Sequence, residues 1–189
     1  MKKTLLTLTA ALWISLTAIH ALEVENLRSE YRVNPVGIDV AKPRLSWEIL
    51  DDERGQRQSA YQILVASTPE ILARDQGDLW DSGKVEGDRS VQVEYAGKPL
   101  ESDADCHWKV RVWDAEGEVS DWSAPAQFVT GKMKPEDWQG QWIGASEDLN
   151  HAAVYLQKKV AVEKPVVRAT VFFSGLGFSE LSIDGKKVG

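Results

Sequence analysis

The sequence predicts an all-β protein, a fibronectin type III-like or immunoglobulin-like β-sandwich followed by an incomplete jelly-roll β-sandwich. Apolar residues recur at every second position in short runs bounded by turn residues, the period of half-buried strands, while helical periodicity is almost absent. Seven such runs fall within about 110 residues, the strand count of a small sandwich. A polar stretch containing Gly and Pro then separates them from a second set of runs.

Residues 1–21 have the layout of a secretory signal: Lys2 and Lys3, an apolar run over 5–19, and Ala18, His20 and Ala21 ahead of the first acid, Glu23. The run is about 15 residues long, short of the roughly 20 that span a bilayer. A cleaved signal and export to the periplasm or the exterior are expected, not a stable membrane anchor.

The first unit, residues 22–131, carries strands at 22–27, 44–49, 60–66, 79–80, 90–95, 107–113 and 126–130. Alternation turns Trp108, Val110 and Val112 inward and His107, Lys109, Arg111 and Trp113 outward. Leu45, Trp47 and Ile49 fit an opposing inner wall, as do Tyr61, Ile63 and Val65. One short helix is expected over 69–74, with Thr68 as N-cap, Pro69 at the first helical position and Glu70 favouring the dipole.

Residues 132–137 read as a linker. In the second unit, residues 138–189, strands are expected at 142–143, 154–160, 167–173 and 178–183, with Asp184-Gly185 as a type I′ hairpin turn. About 50 residues lie near the lower limit for a lone core, and a jelly roll wants about eight strands. The sequence therefore reads as a fragment of something longer.

Composition narrows the chemistry. Loss of Lys2 and Lys3 leaves 20 basic against 29 acidic residues, a formal charge of −9, which disfavours nucleic acid. The single cysteine, Cys106, has no internal disulfide partner and reads as a small buried hydrophobe. Of the histidines at 20, 107 and 151, the first leaves with the signal, so no metal site and no cofactor are expected. The acids Asp51-Asp52-Glu53, the group Glu101, Asp103 and Asp105, and the pair Glu116 and Glu118 all fall in turns, where solvated charge is the simplest reading. Gly175-Leu-Gly177 precedes a strand, not the helix a phosphate loop needs, and reads as a bulge or tight bend. No catalytic residue is assigned.

Seven tryptophans survive signal removal. Aromatic faces stack on sugars, so Trp80 and Trp113 are the candidate carbohydrate-binding residues, weighed against the commoner role in packing. Trp122 is expected over the outward Arg111 as a cation–π contact, and Trp138 and Trp142 between the two units.

Seven segments in order resemble the N-terminal region of bacterial α-L-rhamnosidases. They are Asn26-Leu-Arg-Ser-Glu-Tyr-Arg-Val-Asn-Pro-Val-Gly-Ile-Asp, Pro43-Arg-Leu-Ser-Trp, Arg57-Gln-Ser-Ala-Tyr-Gln-Ile-Leu-Val-Ala-Ser, Leu79-Trp-Asp-Ser-Gly-Lys-Val, Trp108-Lys-Val-Arg-Val-Trp-Asp, Trp138-Gln-Gly-Gln-Trp-Ile-Gly, and Ser174-Gly-Leu-Gly-Phe-Ser-Glu-Leu-Ser-Ile-Asp-Gly-Lys-Lys-Val-Gly. The resemblance implies an accessory sandwich, then a jelly roll, then an (α/α)₆ barrel bearing the carboxylic acids of an inverting glycoside hydrolase. The barrel region is absent here. The expected function is thus a non-catalytic accessory segment of an exported α-L-rhamnosidase, inactive alone and partnered by the rest of that enzyme. The alternatives are an autonomous module binding rhamnose-containing glycans and a structural spacer.

Overall fold

The computed structural model describes residues 22–50, 55–144 and 154–188. The expected signal and the acidic run Asp51-Asp52-Glu53 lie outside the described residues. The elements are β1 (Glu23–Ser29), β2 (Val36–Ile38), β3 (Arg44–Leu50), β4 (Ala60–Ala66), α1 (Pro69–Ala73), β5 (Trp80–Asp81), β6 (Val85–Glu86), β7 (Val93–Glu94), β8 (Asp105–Trp113) and β9 (Ala126–Thr130). A 3₁₀ turn (Pro135–Asp137) and a hairpin of β10 (Leu181–Ile183) and β11 (Lys186–Val188) follow.

One sheet has the order β1-β3-β7, and the other β2-β9-β8-β4-β5 with β6 also on β4. The longest ladder joins β4 to β8, from Ala60 opposite Trp113 to Ala66 opposite His107. Both strands are rich in β-branched and aromatic residues, which suit a pleated, half-buried surface. Trp108, Val110 and Val112 on β8 and Ile63 and Val65 on β4 point into one core with Leu45 and Trp47 of β3 and Phe128 of β9. Tyr61, Ile63 and Val65 therefore share the wall of Trp108; the expectation that they belong to the opposing wall is corrected by the β4–β8 pairing.

Strands 60–66 and 126–130 form at the expected bounds, and the others shift by a few residues, except that 90–95 shrinks to Val93–Glu94. β2 and β6 have no counterpart in the alternation: each is three residues or fewer, and Gly37, at φ 84°, breaks the pattern of β2. The helix forms with Thr68 Oγ1 accepting the Ile71 amide at 3.3 Å, as the N-cap reading requires. Asp184 and Gly185 both have positive φ (49° and 76°) and join Ile183 to Lys186 in a two-residue turn of the expected type.

Residues 142–143, 154–160 and 167–173 form no strand, and 178–183 contributes only Leu181–Ile183. Alternation supplies one apolar face, but a strand also needs a hydrogen-bonded neighbour. None runs beside these segments among the described residues, and Tyr155 and Val167 are exposed.

Buried polar groups hold the loops. Gln58 accepts the Trp47 indole N–H at 3.0 Å and donates to the carbonyls of Gly87 and Arg89, each at 3.1 Å. Glu30, at φ 47°, receives the Arg44 amide at 2.7 Å and its guanidinium at 2.6 and 3.1 Å. Thr130, fully buried, accepts the Ala104 amide at 2.8 Å and donates to the Glu101 carbonyl at 2.6 Å.

Gln58→Ala leaves an indole N–H and two carbonyls unpaired, so urea titration followed by tryptophan fluorescence is expected to register a loss of about 2–4 kcal/mol. Gln58→Glu is expected to cost at least as much, because a carboxylate cannot donate to the two carbonyls; an unchanged midpoint for both contradicts the assignment. The hydrogen bonds from Arg44 hold the Glu30 carboxyl below the usual glutamate range. Its stabilisation is complete above that range and is lost as the pH falls through the lowered value, so Glu30→Gln is expected to be less stable than wild type at neutral pH and to converge with it as the pH falls below the lowered value. Burial pushes the Cys106 thiol up to about 12. A disulfide reagent at about pH 8 is therefore expected to leave it unmodified in the native chain and to label it in concentrated guanidinium.

Candidate functional site

The outward face of the β4–β8 ladder carries the chemistry the sequence singled out. Alternation places Gln62 beside Arg111 and Leu64 beside Lys109. Helix α1 covers one end of this face through Leu72, which packs with Leu64 and Ala66 against Trp122. The remainder is an alternating stack of rings and cations. Arg111 lies 4.6 Å from the centre of the Trp122 ring and 5.2 Å from that of Trp113, Lys109 lies 5.0 Å from Trp122, and Lys84 lies 5.1 Å from Trp113. The predicted Trp122–Arg111 contact is thus present.

Polar contacts fix each cation. Arg111 donates twice to Gln62 Oε1, at 2.7 and 3.0 Å, and Gln62 donates to Asp81 at 2.8 Å. Lys109 is buried and pairs with Asp75; Lys84 pairs with Glu86 at 3.1 Å. Trp122 is held by its flanks: Ser120 and Ser123 accept the amides of Val112 (3.0 Å) and Val110 (3.1 Å) through their hydroxyls, while their own amides donate to the carbonyls of the same residues at 2.9 Å. This segment takes the place of a neighbouring strand along part of β8. Sequence reading missed the two serines, because their spacing of three residues matches no strand period and gives no sign that they meet Val110 and Val112, which are two apart.

The two candidate sugar-stacking residues are not brought together. Trp113 stands opposite Ala60 and Trp80 opposite Val65, at the two ends of β4 and on opposite faces of the sheet. Trp80 is partly buried against the core, edge-on to Tyr95 at 5.3 Å, a packing role. Trp113 is on the outer face, half-buried between Lys84 and Arg111. Trp138 meets Phe172 edge-on at 6.5 Å, and Trp142 is exposed.

Glycoside hydrolysis needs an acid and a base flanking one sugar site. A groove of about 590 Å³ beside the stack is lined by Leu72, His107, Lys109, Pro125 and Gln127, among others, and by no carboxylate. A smaller one of about 290 Å³ holds Glu23 and Asp121, both exposed, with no wall to desolvate either. Cys106 lies in the core and His107 on the outer side, as alternation requires, and no group of metal-binding side chains occurs among the described residues. Of the acids read as solvated, Asp103 and Asp105 instead pair with Lys132 and Arg168. Gly177, at φ 89°, sits in a bend, as expected. Among the described residues the arrangement supports packing and stacking, and neither groove holds an acid–base pair.

Residues 24–134 match the family model described as Rha78A-like, N-terminal immunoglobulin domain. The chain is 48% identical to an α-L-rhamnosidase of Streptomyces avermitilis over 70% of its own length and 13% of that protein's. To an α-L-rhamnosidase of Formosa agariphila it is 33% identical, over 89% of its own length and 20% of the relative's. The solved structure of the Streptomyces avermitilis α-L-rhamnosidase complexed with L-rhamnose superposes with a TM-score of 0.64, covering 68% of this chain and 12% of that one. The chain spans between about an eighth and a fifth of its relatives, and its sandwich corresponds to their N-terminal domain. It belongs to the family of Rha78A-like N-terminal immunoglobulin domains.

Proposed function

We propose that this chain is a non-catalytic accessory segment of an exported α-L-rhamnosidase, supporting an enzyme that removes terminal rhamnose without itself touching the scissile bond. The observation that carries the reading is the match of residues 24–134 to a domain that makes up a small part of much longer rhamnosidases. The absence of a carboxylate from the larger groove supports the non-catalytic half. Lys2, Lys3 and the apolar run behind them support export. The partner is the rest of the parent enzyme, whose surface covers the apolar side chains of residues 154–178; Val167 and Phe178 are almost wholly exposed.

A second reading, a module that binds rhamnose-containing glycans, is favoured only by the outward position of Trp113. Purified residues 22–189 are expected to give no turnover of an aryl α-L-rhamnoside above the buffer rate and no saturable change in tryptophan fluorescence with L-rhamnose. Turnover overturns the accessory reading. A saturable change that Trp113→Ala abolishes selects the glycan-binding one.

A further inference from the structure

The turn 101–104 and Asp105, the first residue of β8, reach the chain beyond β9 through three side chains, Ser102, Asp103 and Asp105. Ser102 Oγ accepts the Met133 amide at 2.7 Å and donates to the Asp137 carboxylate, which also accepts the Lys134 amide at 3.1 Å. Asp103 takes the Lys132 ammonium at 2.5 Å, and that ammonium lies 4.6 Å from the centre of the Phe172 ring. Asp105 takes the Arg168 guanidinium at 2.6 Å. Phe172 in turn meets Trp138. Residues 132–137, expected from composition to be a plain polar linker, are tied down at Lys132, Met133, Lys134 and Asp137.

We propose that the turn 101–104 together with Asp105 is an internal docking surface that binds two basic residues of the same chain, Lys132, which also lies over Phe172, and Arg168, and so sets the direction in which the polypeptide leaves the sandwich. Single exposed ion pairs contribute little. Here the surface is rooted in the core, because buried Thr130 bonds both the Glu101 carbonyl and the Ala104 amide, and the Asp103 amide donates to the Gly131 carbonyl at 3.2 Å. The turn is thus held from below while its side chains point outward to the linker. Ser102 is the residue that joins the two, since its one hydroxyl serves as acceptor and donor at once. The junction is a property of this chain alone and stands or falls independently of any glycosidase activity.

Limited trypsin digestion of the intact chain tests it, read at the Lys132–Met133 and Arg168–Ala169 bonds by mass spectrometry. Ser102→Ala and Asp137→Ala are each expected to speed cleavage after Lys132 by about tenfold or more, and Asp105→Ala to speed cleavage after Arg168, with the sandwich's melting transition unchanged. Asp137 lies outside the sandwich, so its variant decides the matter if Ser102→Ala unfolds the domain. Equal cleavage rates in wild type and Asp137→Ala at Lys132, or in wild type and Asp105→Ala at Arg168, overturn the docking surface.

Discussion

The register of the antiparallel ladder between β4 and β8 is the constraint on which the rest of the structure depends. With Ile63 opposite Val110 and Val65 opposite Trp108, these side chains enter the core shared with Leu45 and Trp47 of β3, while Leu64, Ala66 and Trp113 face the other side of the sheet. A slip of one residue on β8 turns Lys109 and Arg111 inward and sends Trp108, Val110 and Val112 to the surface. The cost of burying two unpaired cations makes that alternative inaccessible. The same register lays Arg111 beside Gln62 and brings both tryptophans of the outer face within reach of its guanidinium.

Around that ladder, side chains stand in where backbone pairing stops. Ser120 and Ser123 satisfy two amides of β8, Gln58 satisfies two carbonyls of the Gly87–Arg89 loop, and Thr130 closes the turn before β8. Each substitution of a hydroxyl or amide for a ladder bond lets an irregular segment lie against the sandwich without leaving those amides and carbonyls unpaired. This is why a domain without a disulfide keeps so many short strands and long connections in place.

The long strands were legible because their side chains alternate over five residues or more, and burial of Trp47, Trp108 and Phe128 follows from that period alone. β2 and β6 were not, since two or three residues carry no period; they exist because β9 and β4 offer an edge. Residues 154–160 and 167–173 mark the opposite failure, a period with no edge to join. The outer-face stack was half legible: Trp122 over Arg111 follows from alternation and the turn before β9. The burial of Lys109 does not, because it depends on α1 folding back to bring Asp75 and Leu72 alongside.

The stack also bears on what the outer face is for. A tryptophan that receives a sugar needs one ring face open to an apolar patch of the ligand, and cations held over the ring compete for that face. Trp113 has two such cations, each anchored by a further partner, Lys84 through Glu86 and Arg111 through Gln62 and Asp81. Displacing either one breaks a chain of charge-assisted contacts, not a single bond. An arrangement of this kind stiffens a sheet that helix α1 covers only at one end, and it gives Trp113 a structural use that requires no ligand.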